Sequence, residues 1–278
     1  MARHQSILGY AGFRWLKISG ALVTVAIAAY VWHSPSNGPG GGTWLGYTLG
    51  TIAAVLILWL TWFGVRKRRY RADAGLLLGW LSAHIYLGAS LIVLATLHAA
   101  FQVGWNIHTL AYALMLGVIA SGFYGVYAYF RYPRAMTENL GDDTQETLLL
   151  KIGDFDRESR QLALGLPDAV NRLVLAAAQD TRIGGSWRRQ LSGRDADCPT
   201  ATAITGLQAI GRTLRGEQAR ANQQLYALML RKQELLTRAR RDVAMKARLD
   251  LWLYFHVPLT IALLAALVTH VISVFFYW

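Results

Sequence analysis

The chain has 278 residues, of which 54% are hydrophobic and 16% charged, with a formal net charge of +12 and a mean hydropathy of +0.28. This balance is too apolar and too poor in charge for an ordinary soluble domain, which makes the bilayer the first solvent to consider. The single cysteine, Cys198, excludes an internal disulfide, and the basic excess comes without a nucleic-acid-binding motif, so topology and anionic headgroups account for it better than DNA or RNA does.

A run of about 20 apolar residues crosses the hydrocarbon core as a helix, and five such runs are predicted: Trp15 to Trp32, Trp44 to Val65, Ala74 to Phe101, Thr109 to Phe130 and Leu251 to Tyr277. The first is too long, and too poor in a small-residue cleavage site, for a signal peptide. The glycine-rich connection Ser34 to Thr43, with Pro35 and Pro39, reads as a flexible loop without chemistry of its own. At Tyr132 and Pro133 the composition turns polar, and it stays so until Asp250. Within this insertion, Leu148, Leu149, Ile152 and Phe155 mark one helix, and Val170, Leu173, Val174 and Ala177 a second. Gly165 and Pro167 separate them. Arg182 to Thr200 reads as a loop, with Cys198 an ordinary loop thiol. Glu217 to Asp250 lacks Gly and Pro, and is expected to run into the fifth span as one helix. No repeat of 20 to 50 residues is visible, and neither G-x-G-x-x-G nor G-x-x-x-x-G-K-[ST] occurs, so the insertion carries no visible nucleotide site.

Apart from Lys17 at the entrance to the first span, the five spans contain no Lys, Arg, Asp or Glu. The Lys and Arg residues divide into three at the start of the chain, five between the second and third spans and twenty between the fourth and fifth. The positive-inside rule then places the N-terminus and the insertion in the cytoplasm and the C-terminus at the outer surface.

Four of the seven histidines lie inside predicted spans, where an ionisable side chain usually has a functional partner. His84 and His98 are 14 residues apart on the third span, and His256 and His270 are 14 apart on the fifth. Fourteen residues come within about 40° of four full turns, so each pair shares a helix face, with about 21 Å between its members. Both spans run from inside to outside, which pairs His84 with His256 and His98 with His270. Two imidazoles fill both axial positions of a haem iron, whereas a zinc or copper site needs clustered ligands. Without C-x-x-C-H the haem is expected to be b-type and non-covalent. Gly88, Gly117, Ser121, Gly122 and Gly125 offer small-residue faces for close approach. For haem propionates the available donors are Arg66, Lys67, Arg68, Arg69, Arg71, Arg131, Arg134 and Arg248 inside, and Trp105, Asn106 and His108 outside. His4 and His33 read as surface or interfacial.

The His-x13-His spacing on two alternate helices resembles the di-haem cytochrome b subunits of quinol-oxidising complexes, and its placement on spans three and five is similar to the ferric-reductase and NADPH-oxidase membrane domain. The likeness covers spans three to five. A sixth span and a C-terminal flavin domain are missing, and the long insertion is extra. The expected architecture is an all-α integral membrane protein, with five transmembrane helices forming a haem-binding bundle and a helical cytoplasmic insertion. Its parts are residues 1–131, 132–250 and 251–278, in the bacterial inner membrane. The resemblance implies transmembrane electron transfer through two haem b groups held by His84, His98, His256 and His270, with no catalytic residue of the chain's own. Membrane lipids surround it, and the other subunits are a periplasmic cytochrome, a cytoplasmic iron-sulfur or flavin protein, or both. The alternatives are a quinol-oxidising enzyme with a bound quinone, a ferric-reductase-like enzyme, and a non-redox scaffold.

Overall fold

The computed structural model describes residues 6–36, 38–69 and 74–276, with the side chains of 65–69 and 74–76 outside that description. His4, Arg71, Tyr277 and Trp278 therefore lie outside the described residues, as do the side chains of Arg66, Lys67, Arg68 and Arg69. Among the described residues the regular structure is helical throughout, without a strand. The helices are α1 (Arg14–Trp32), α2 (Trp44–Arg69), α3 (Ala74–His98), α4 (Ile107–Leu140), α5 (Gln145–Ala163), α6 (Asp168–Gln179), α7 (Trp187–Ser192), α8 (Pro199–Gly211) and α9 (Gly216–Phe276). Five helical stretches have the length and composition to cross a membrane, as a multi-pass membrane protein requires. They lie in α1, α2, α3, the stretch beginning at Ile107, and α9.

The chain divides into two compact units, Met1–Val126 with Trp252–Trp278, and Tyr127–Leu251. The boundaries between the units fall at residues 126–127 and 251–252, within the ranges of α4 and α9. In the first unit α3 packs against α1 and α2, around a core that includes Leu49, Ile57, Leu60, Ala83, Leu87, Leu91 and Leu94. A polar group in an apolar helix must find its partner within the protein, and here hydroxyls donate to the preceding turn: Thr48 to Trp44 O, Thr61 to Ile57 O and Thr96 to Ile92 O. Ala100 and Phe101, at φ 48° and 60°, take up left-handed backbone and turn the chain out of α3. Asn106 then caps α4, its Oδ1 accepting from Thr109 N at 2.9 Å.

Tyr132 and Pro133, where the composition turns polar, lie within α4 rather than at its end. Helix α4 continues through Pro133 to Leu140, because proline removes one donor and neighbouring backbone bonds carry the helix past it. Thr144 then caps α5 in a reciprocal arrangement with Thr147. The region Arg182 to Thr200 is not the plain loop expected from its glycines. It contains the one-and-a-half-turn α7, and Pro199 opens α8.

Helices α5, α6, α8 and α9 enclose the second core, built on Val170, Val174, Ala203, Leu207, Leu225 and Met229. Lys232 is buried to 1% exposure and donates to Asp156 Oδ1 at 2.5 Å and to the Ala177 carbonyl at 2.7 Å. Cys198 is buried beside the Arg240 guanidinium, which also meets Asp195 at 3.0 Å. At the end of α4, a hydrogen bond from Lys151 holds the Asp143 carboxyl below the usual carboxylate range. Burial pushes Asp242 upward, only partly offset by Lys246.

Candidate functional site

Four histidines occupy the inner faces of α3 and α9, and their neighbours on α2 and α4 fix how each ring is held. His98 ends α3. Its Nδ1 lies 2.8 Å from the Gly46 carbonyl. A carbonyl only accepts, so Nδ1 carries the proton and Nε2 keeps its lone pair. The ring lies on the backbone of α2: a Cβ on Gly50 would stand 2.6 Å from His98 Cε1, and one on Gly41 would stand 3.4 Å from the His98 carbonyl oxygen. Thr43 fixes this surface by donating to Gly40 O and accepting from Gly46 N. The glycine-rich connection is thus not an idle loop but part of the wall behind His98.

His256 is held from α4. Its Nδ1 lies 2.6 Å from Ser121 Oγ. A Ser121 hydroxyl proton directed to Val118 O, 2.9 Å away, leaves the oxygen free to accept from His256 Nδ1–H, with Nε2 bare. Trp252 Nε1 donates to Ser121 O at 2.8 Å, its indole lies against Gly125, and Gly117 meets Leu259. Residues 117, 121 and 125 of α4 therefore meet 259, 256 and 252 of α9 in reverse order, an antiparallel seam closed by small residues.

His84 is within electrostatic range of His256. Its ring faces Phe63 at 5.3 Å between centroids. The Leu60 carbonyl lies beside it, but His84 Nδ1 is buried without a hydrogen bond. At the other end of the same helices, the His98 and His270 rings are 6.0 Å apart between centroids and nearly perpendicular, at 87°. Residue numbers rise together along α3 and α9, so the two helices run the same way. His270 also meets His108 at the start of α4, with Nδ1 atoms 2.5 Å apart.

These features can be tested against a haem. Two imidazole nitrogens bonded to one metal at about 2 Å each stand about 4 Å apart, which puts ring centres about 6 Å apart. The separation of His98 and His270 fits that value. His98 carries the tautomer that leaves Nε2 free for iron, and His256 can take it, with partners of the type that orient metal-binding histidines. Of the His84 ring, Nδ1 is buried without a hydrogen bond, while the Leu60 carbonyl stands beside the ring. Among the described residues no three His, Cys, Asp or Glu side chains converge as a metal-ion site.

The propionate donors proposed from sequence fare differently. Arg134 pairs with Glu138, and Arg248 donates to the Leu191 carbonyl. Asn106 is engaged as the α4 cap, and Trp105 is fully exposed. His33 is half-buried, edge-on to Trp44, with Nε2 unpartnered. The Nδ1 partners Gly46 and His108 were not identifiable as partners from spacing, although Gly46-x-x-x-Gly50 is a small-residue motif that marks close approach. Comparison of the chain with protein families, with curated proteins and with solved structures finds no match.

Proposed function

We propose that the chain is the membrane subunit of a larger redox complex and carries electrons across the bilayer through two non-covalent b haems. His84 and His256 would hold the haem nearer the cytoplasm, and His98 and His270 the outer one. The observation that carries this reading is the pairing itself: four histidines at two levels of the same two helices, with Nε2 of His98 left free by the carbonyl on its Nδ1.

A b haem with two axial imidazoles supplies a reversible one-electron couple with no open coordination position. The chain's own residues supply the setting. The Gly46 carbonyl holds the ring of His98 in one tautomer, the Ser121 hydroxyl orients that of His256, Gly50 and Gly125 let neighbouring helices approach, and the apolar walls exclude water. About 21 Å of helix separates the two levels, which distributes them over a core of about 30 Å. The location is a bacterial inner membrane, N-terminus inside, with a cytoplasmic or quinone donor or acceptor on one side and a periplasmic partner on the other.

Pyridine haemochrome analysis of the purified full chain is expected to give two b haems per chain, extractable without breaking a covalent bond. A chain produced with ample haem that contains none, or carries it covalently, overturns the proposal.

A further inference from the structure

We propose that His108 is the positioning residue of the outer pair, accepting a hydrogen bond from His270 Nδ1 and thereby turning His270 Nε2 toward the metal. This rests on the di-haem reading and assigns a role to a histidine outside the four ligands.

The argument begins with proton counting. At 2.5 Å, the two Nδ1 atoms of His108 and His270 share one proton, so one ring donates and the other accepts. If His108 donated, the proton of His270 would sit on Nε2, where it blocks ligation. If His270 donates, its Nε2 is bare, as in His98, and the proton of His108 sits on its own Nε2. His108 is exposed, so that N–H can be satisfied by water. The second arrangement therefore leaves His270 Nε2 open to a metal and the His108 N–H facing solvent.

The geometry supports the same division of labour. His270 lies between the other two rings, its centroid 6.0 Å from His98 and 4.6 Å from His108, with near-perpendicular planes in both cases. His108 is fixed in its turn, since it follows Asn106, the cap that accepts from Thr109 N, while Thr109 Oγ1 accepts from Gly104 N at 3.0 Å. His98 leans on a carbonyl and His256 on a hydroxyl; His270 leans on a third imidazole. Such a partner raises the basicity of a metal-binding histidine and favours the oxidised metal, and its loss typically weakens metal binding about 10- to 100-fold.

The test is a redox titration with optical and electron-paramagnetic-resonance readout of the full chain, comparing wild type, His108→Leu and His108→Gln. The outer haem is identified as the one missing from His98→Ala. Removal of the acceptor in His108→Leu is expected to shift the outer haem to higher potential, alter its low-spin signature and loosen its retention about tenfold, with the inner haem unchanged. His108→Gln retains an acceptor oxygen and is expected to restore the outer signature in large part. An unchanged outer potential in His108→Leu, or equal shifts in the leucine and glutamine variants, overturns the positioning role while leaving the two haems in place. Absence of haem from the wild type overturns the di-haem reading and this role with it.

Discussion

At the position of Gly50, one methyl group separates a wall from an obstruction. A Cβ there would lie 2.6 Å from Cε1 and 2.8 Å from Nδ1 of His98, whose ring is already tied to the Gly46 carbonyl. The ring cannot yield without breaking that bond. Gly50→Ala is therefore expected to release the outer haem and spare the inner one, lowering the haem content from two toward one per chain; retention of both would show that His98 does not bind where the wall places it. The four histidines were legible because imidazoles are rare in apolar spans and their 14-residue spacing is regular. What holds them was not. Gly46 is 52 residues from His98, and Ser121 is 135 from His256, separations at which helical periodicity says nothing.

Among whole elements, the apolar helices and the long α9 were readable from composition, and α5 and α6 from their 3.6-residue pattern. Helices α7 and α8 were not, because Gly184, Gly185, Gly193 and Pro199 suggest a loop. Pro199 instead starts a helix, and Gly193 ends one with a left-handed φ of 65°. The ion pair of Lys232 and Asp156 was equally hidden, since residues 76 apart meet only through the packing of α5 on α9. Removing one partner of a buried pair costs about 3–5 kcal/mol, whereas replacing both by apolar residues is often close to neutral. Lys232→Met should thus open the second unit. The single thiol, Cys198, is buried at 4% exposure in that unit and reports on it. Its labelling rate is expected to rise by about two to three and a half powers of ten in Lys232→Met, since each factor of ten corresponds to about 1.4 kcal/mol. It should return most of the way in Lys232→Met with Asp156→Leu. Equal rates in all three proteins would mean that the pair contributes nothing to the unit's stability.

On the scale of the whole chain, orientation rests on charge alone: three, five and twenty basic residues fall in the segments expected on one side, and none on the other. The number of spans follows from length and hydropathy, but the side they face does not. Protease digestion of sealed vesicles checks it, with cleavage between residues 142 and 215 expected only from the cytoplasmic face. Cleavage from the outside alone would reverse the assignment of donor and acceptor sides. The architecture also makes a demand that no single site makes, namely that α3 and α9 run parallel and so pair first histidine with first and second with second. The most direct measurement is a set of low-temperature spectra and redox titrations of the full chain with each histidine replaced by alanine. Replacing His84 or His256 is expected to remove one and the same haem, and replacing His98 or His270 the other. If His84 and His256 instead affected different haems, or if the wild type held no haem to remove, the two-level arrangement would be contradicted.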